Sequence, residues 1–384
     1  MRVNIPHIIF CVFITVFLTL LLKISPEVSK VYYPVIFVLF FLLIAKPVNF
    51  KINLIAFIFT LITGLSIFLN DIPTIFNSYN RWLGWLLILF VFGPLITTTP
   101  FIKFRIKAFS FLLKLLPFLT ILSFLWYVFG LPNLGRGDFT GVTYHSMLLG
   151  PISGLSSAFF LNKNLFEGKS KKRLGLLLIS LVVCVLAASR TALLAFVLVA
   201  LVSFYIKYKM KNLLYLILLF CGFIIFQAVN MENVNQGSGI FESLSNKSFN
   251  NSREGYWTNR IKEWYKSPLI GVGFASVDLT ISDLGVHEDG SIEPGTSWLA
   301  VLSMTGLLGL LSFILLLSNI YTKLYKLIKT NDILIINVLS FNIFFIVSFV
   351  SEGYLFAAGS VSGLIYWLSL GCASSLISVY AKKK

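Results

Sequence analysis

Charge is what this chain has least of. Asp, Glu, Lys and Arg together make up 12% of its 384 residues, where a soluble domain carries about 25%. Such a surface excludes an ordinary soluble enzyme. Acidic residues number 15 and histidines three, and no acidic pair stands at metal-ligand spacing, so no metal site is expected. Cysteine is rare as well. Cys11, Cys184, Cys221 and Cys372 all fall in apolar runs without a CxxC pair, which excludes a disulfide framework or thiolate metal centre and leaves them as small buried hydrophobes. Internal repeats and low-complexity tracts are absent. No small-residue cleavage site follows the first apolar segment, which is therefore expected to be a retained helix rather than a signal peptide. What the chain has in abundance is apolar: 57% of residues, with 38 Phe and 7 Trp, and a mean hydropathy of +0.89. This excludes disorder and predicts an all-α polytopic membrane protein.

Apolar runs predict about twelve transmembrane helices at about 20 residues each, near 8–22, 31–45, 52–69, 82–98, 109–130, 144–161, 174–189, 191–206, 213–230, 296–317, 333–351 and 355–379. Of the 31 basic residues, 21 fall on one set of alternate loops, and 13 of the 15 acidic residues fall on the other. The positive-inside rule then puts both termini in the cytoplasm. The formal charge of +16 is topological: its partner is anionic membrane lipid, and no nucleic acid is expected.

Four stretches organise the chain. Residues 1–130 hold helices one to five, and 131–230 hold helices six to nine. Residues 231–295 form one large extracytoplasmic loop, and 296–384 hold helices ten to twelve. Between Leu174 and Ile206 the chain is apolar except for Ser189-Arg190-Thr191. Thirty-odd residues are too many for one helix across about 30 Å of hydrocarbon, so two helices with a tight outer turn are predicted, with Arg190 at its tip. The long loop carries an amphipathic segment, Glu254 to Ser267, with Tyr256, Trp257, Ile261, Trp264 and Tyr265 among charges, suited to the headgroup boundary. Pro268 ends it. An arginine inside an apolar run is either a snorkelling anchor or an anion ligand.

Three elements carry a family resemblance. The first is Ser189-Arg190-Thr191-Ala192-Leu193-Leu194. In the second, Arg253 is followed by Trp257 and then by Pro268, Gly271 and Gly273. The third is SWLAVLSMTGLLGLLSF at 297–313. Their order and spacing resemble the O-antigen ligase/polymerase family. The resemblance implies a multi-span glycosyltransferase of GT-C-like architecture in the bacterial plasma membrane. Its site would face the extracytoplasmic side, take undecaprenyl-pyrophosphate-linked oligosaccharide as donor and acceptor, and need no cofactor. A chain-length regulator and a flippase are implied as partners. Arg190 and Arg253 would hold the pyrophosphate leaving group, for which a guanidinium offers a planar fork that stays charged.

One departure separates two activities within that family. Ligases carry a catalytic His-Asn just before the third element, and here Gly295-Thr296 stands in its place, with His287 eight residues earlier and out of register. The departure favours a polymerase joining lipid-linked repeat units of O-antigen lipopolysaccharide, capsule or exopolysaccharide over a ligase acting on lipid A core. Glu293 is then the nearest candidate base, against a bland alternative as a solvated loop charge. Arg260, Trp257, His287, Glu352 and Arg136 are candidate substrate contacts. Arg81 matches no family element and is expected to be dispensable. A transporter or lipid-linked glycan flippase is the alternative of another class, but the chain lacks the two related halves and midplane polar residues expected of one.

Overall fold

The computed structural model describes residues 5–22, 28–45, 51–134, 138–209 and 254–381. All regular elements in them are helical, apart from isolated bridges such as Ile52 with Ile96. In chain order the α-helices are α1 (Ile5–Leu22), α2 (Val28–Ile44), α3 (Leu54–Phe68), α4 (Ser78–Val91), α5 (Thr99–Val128), α6 (Ser146–Phe166), α7 (Lys171–Leu186), α8 (Arg190–Tyr208), α9 (Glu254–Lys266), α10 (Ser297–Leu327), α11 (Ile333–Ser348) and α12 (Val361–Ala381). Five of them, α1, α5, α8, α12 and α10 with its 3₁₀ extension to Thr330, are long and apolar enough to cross a membrane, and α2, α3 and α11 are shorter apolar helices. The chain is an all-α polytopic membrane protein. The expected ninth span, 213–230, lies outside the described residues.

Several helices turn apolar side chains outward. On α3, Leu54, Phe57, Ile58, Leu61, Leu65 and Phe68 are exposed, and on α10 Leu308, Leu311 and Leu315 are exposed. Stripes of this size would drive association in water. Facing acyl chains, they need no cover.

The chain divides into two compact units: Met1–Phe109, Glu254–Lys329 and Phe349–Lys384 in the first, and Ser110–Arg253 with Thr330–Ser348 in the second. The first unit has an aromatic centre. Trp85 meets Phe274 at 5.2 Å and Trp367 at 5.7 Å between ring centroids, and Phe274 meets Phe356 at 4.8 Å. In the second unit a polar knot joins three helices: the Asn162 amide donates to Asn337 Oδ1 and Ser340 Oγ, both at 2.9 Å, and the Ser203 hydroxyl donates to Asn162 Oδ1 at 2.8 Å. Hydrogen bonds of this kind hold helices together where burial of apolar surface cannot.

The fourth span departs from expectation. The apolar run reaches residue 98, but α4 stops at Val91, because Gly93-Pro94 cannot extend a helix. Fourteen residues give about 21 Å of helix. The irregular stretch beyond them is closed by Arg105, fully buried on the first turns of α5, which donates to the carbonyls of Phe90 (2.7 Å), Val91 (3.0 Å) and Ile96. A guanidinium here meets the negative end of a helix and satisfies carbonyls that hydrocarbon cannot.

Candidate active site

The run 174–206 folds as two helices with a tight turn between them. Ala187 closes α7, Ala188 takes a left-handed φ of 49°, and Ser189, at φ −97° and ψ 88°, leads into Arg190, which opens α8. The turn is fixed by α6. A Cβ on Gly150 would come within 3.0 Å of Ser189, and one on Gly154 would lie 3.3 Å from the Ala192 carbonyl. Gly150-x-x-x-Gly154 is thus a small-residue face that lets α8 approach closely. Leu149, Val183 and Ala187 pack beside it, with Phe124 and Phe139 against them. Arg190 is partly buried at the first residue of α8, the end whose dipole favours an anion, and Ser189 makes no side-chain cap to it. The guanidinium and the helix terminus therefore attract the same kind of ligand. Arg253 and Arg136 lie outside the described residues.

In the first unit, the second and third family elements meet as a backbone splice. Gly306 interrupts α10 with φ 65° and ψ −169°, and the segment 268–273 fills the break. Val272 N–H donates to the Ser303 carbonyl (2.8 Å) and Gly273 N–H to Met304 (3.1 Å). In return, Leu307 and Leu308 donate to Pro268 (2.9 Å) and Leu269 (3.2 Å). A Cβ on Gly306 or Gly271 would fall within 3.0 Å of the other strand's backbone. These glycines serve the architecture rather than the chemistry.

Helix α9 is inverted. Its buried residues are Arg260 and Glu263, while Tyr265 is 71% exposed and Ile261 is exposed. Arg260 Nη1 donates to Glu263 Oε2 at 2.9 Å, and the other carboxylate oxygen accepts the Asp278 N–H at 3.1 Å. Burial pushes the Glu263 carboxyl up and the Arg260 guanidinium down, each opposed by its partner. Arg260 is held inward as an anchor for the 272–278 loop. On the same helix, the Trp257 indole N–H is buried without a hydrogen-bond partner among the described residues. Beside it, a Cβ built on Gly295 (φ 71°) would lie 3.7 Å from Trp257 Cδ1 and 2.7 Å from Tyr256 Cβ. Burial, together with the Glu293 carboxylate, pushes the Tyr256 phenol up.

His287 and Glu293 flank a small hairpin-like turn. His287 N–H donates to the Ser291 carbonyl and Glu293 N–H to Gly285, at 2.9 and 2.8 Å. Both side chains are exposed. Glu352 is half-buried, and its carbonyl accepts from Ser297 N–H (3.0 Å) and Oγ (2.6 Å) at the start of α10. Beside these two places lies a cleft of about 250 Å³ whose lining includes Ile292, Pro294 and Gly353, so Glu293 and Glu352 are both next in sequence to it; Gly353 packs directly on the Pro294 ring. Arg81 and Tyr33 line the cleft too; no local sequence signal marks either. Among the described residues no three His, Cys, Asp or Glu side chains gather as a metal-ligand set.

Residues 175–314, which include the Arg190 turn, α9 and the splice, match the family described as O-antigen ligase. This protein contains an O-antigen ligase family domain. No curated protein matches the chain. Members of the O-antigen ligase family are glycosyltransferase-type enzymes, and the family implies a membrane setting and lipid-linked glycan substrates. Its matched span starts in α7 and ends in α10, leaving Tyr33, Arg81 and the 353–359 turn outside.

Proposed function

We propose that the protein is a polysaccharide polymerase of the bacterial plasma membrane, with its site on the extracytoplasmic face. It joins undecaprenyl-pyrophosphate-linked repeat units of O-antigen, capsule or exopolysaccharide. The acceptor's non-reducing hydroxyl attacks the anomeric carbon of the donor glycan. The new C–O bond forms as the bond to pyrophosphate breaks, the proton passes to Glu293, and undecaprenyl pyrophosphate leaves. Arg190 and Arg253 neutralise the charge that develops on the leaving pyrophosphate. The buried Trp257 N–H offers a donor to a substrate oxygen, since a buried donor without a partner is costly unless a ligand meets it. Arg260 acts at one remove, by fixing α9, which carries Trp257, against the 272–278 loop.

The observation that carries the choice of polymerase over ligase is Gly295. It stands where the ligases resembled carry their histidine, yet its φ of 71° and the 2.7 Å approach of Tyr256 Cβ leave no place for a side chain. A mechanism that needs an imidazole at this position is not supported, whereas an acceptor supplying its own hydroxyl needs only a nearby base.

The test is a ladder of surface-glycan sizes from cells expressing variants at matched membrane abundance. Arg190→Ala and Arg253→Ala each remove long chains, because losing one preorganised donor to a developing anion costs on the order of 3 kcal/mol, about a hundredfold in rate. Lysine rescues poorly at both positions, as it keeps the charge but loses the fork. A gene deletion leaves core bearing one repeat unit. Bare core would instead mark a ligase, and a normal ladder from both alanine variants would remove the pyrophosphate assignment.

A further inference from the structure

Half of the residues that line the cleft of the first unit lie outside the O-antigen ligase family domain, and that half is well fixed. Tyr32 Oη donates to the Ala358 carbonyl at 2.8 Å, and the indoles of Trp85 and Trp367 both donate to the Leu355 carbonyl, at 3.2 and 3.0 Å. Three helices thus hold the 353–359 turn rigid. Tyr33, the neighbour of Tyr32, lays its ring on Gly84, where a Cβ would stand 2.6 Å from Cε1. Gly84 is one turn along α4 from Arg81, so a phenol ring and a guanidinium are set side by side on the cleft wall, with Phe356 also on the lining. At about 250 Å³, the cleft falls below the roughly 300 Å³ where ligand pockets begin, so it admits the end of a ligand and not its whole length.

Arg81 is the cation of this cleft, and it is poorly matched within the protein. Among the described residues it makes one hydrogen bond, from Nη2 to the Asp289 carbonyl at 3.3 Å, out of five donors. The Asp289 carboxylate accepts the Ser291 N–H at 2.9 Å and feels the Arg81 charge only at longer range, without an ion-pair contact. Among the described residues, no carboxylate stands within ion-pair distance of Arg81. A fork with open donors, beside aromatic rings that can receive the apolar face of a sugar, fits a sugar bearing an anion.

We propose that the cleft formed by Tyr33, Arg81, Ser291, Pro294 and Phe356 binds the terminal sugar of an acidic glycan, with the sugar carboxylate on the Arg81 guanidinium. This rests on the glycan-polymerase function proposed above and adds its substrate class: the chain selects repeat units that end in a uronic-type acid. A phosphate substituent on a sugar would offer the same anionic chemistry, and the test separates the two.

The experiment is calorimetric titration of the purified full chain in detergent with trigalacturonate, its methyl ester and galactose 6-phosphate. Trigalacturonate binds, the uncharged ester binds at least tenfold more weakly, and galactose 6-phosphate does not exceed trigalacturonate. Arg81→Gln weakens trigalacturonate by about tenfold or more, the loss expected for a hydrogen bond to a charged group, and leaves the ester unchanged. Ala357→Trp, at an exposed rim position, fills the cleft and removes binding without altering Arg81, so the inference stays testable if the Arg81 variant fails to fold. Equal binding of acid and ester, preference for the sugar phosphate, or full binding by Ala357→Trp overturns it. Should trigalacturonate fail to bind while Arg190→Ala and Arg253→Ala still abolish the ladder, the cleft assignment falls alone. Should binding hold while those variants give normal ladders, the cleft stands and the polymerase does not.

Discussion

Replacing Gly306 by alanine tests whether the splice between α10 and the 268–273 segment holds the domain together. The substitution has two costs. Backbone at φ 65° and ψ −169° is strained for any L side chain by about 1–3 kcal/mol. The new Cβ would also lie within 3.0 Å of the carbonyl carbon and oxygen of Leu269 and of the Ile270 nitrogen. These are backbone atoms and cannot swing away, so the strands must part. Parting them removes the bonds Val272 to Ser303, Gly273 to Met304, Leu307 to Pro268 and Leu308 to Leu269, each worth about 1 kcal/mol net. The sum, about 5–7 kcal/mol, approaches the whole stability of a typical domain. Gly175→Ala is the matched control: this glycine lies inside α7, where an added Cβ would meet nothing within 4 Å, and alanine there gains about 0.5–1 kcal/mol of helix stability. Membrane abundance and thermal melting of the detergent-solubilised protein read both variants. Gly306→Ala accumulates poorly and melts far below the parent, while Gly175→Ala melts at or just above it. If the two variants melt together, the splice does not carry the load assigned to it.

Two further outcomes are expected. Glu263→Gln leaves the Arg260 charge buried without its counter-ion and costs about 3–5 kcal/mol, whereas the double change Arg260→Met with Glu263→Leu recovers most of that melting temperature; a double variant as unstable as the single would show that the charges themselves are required. In a cysteine-free background, Glu288→Cys is labelled in intact cells by an impermeant thiol reagent and Lys169→Cys is not; the reverse pattern would invert the orientation and place the proposed site in the cytoplasm.

Much of this was legible in the sequence because hydrocarbon imposes simple rules. The length of the 174–206 run required two helices and so located the Arg190 turn, and the aromatic pattern with Pro268 placed α9 to within a residue. The reasons behind the pattern were harder to see. Gly150 and Gly154 on α6 spell a small-residue motif that explains the turn, but their partner, Ser189, is distant in sequence. Arg260 invites assignment as a ligand until the Glu263 carboxylate three residues on is seen to bury with it. The fourth span looked seven residues longer than α4 because apolar content does not reveal where hydrogen bonding fails. Arg81, which matches no family element and so reads as dispensable in the sequence, touches a residue 208 positions away, and only tertiary structure brings the two together. Arg253, the expected partner of Arg190, falls outside the described residues.

Arg105 has a consequence that concerns time rather than place. It is one of the basic residues from which the positive-inside rule predicts the orientation, and orientation is decided while helices enter the bilayer. In the folded protein the same guanidinium is fully buried and its donors are taken up by the carbonyls of Phe90, Val91 and Ile96. It is then invisible to anionic headgroups. On the predicted topology one arginine would thus serve first as a signpost for the inserting machinery, while in the folded protein it plugs a helix that is too short; a charge count taken from the finished surface would miss the first role.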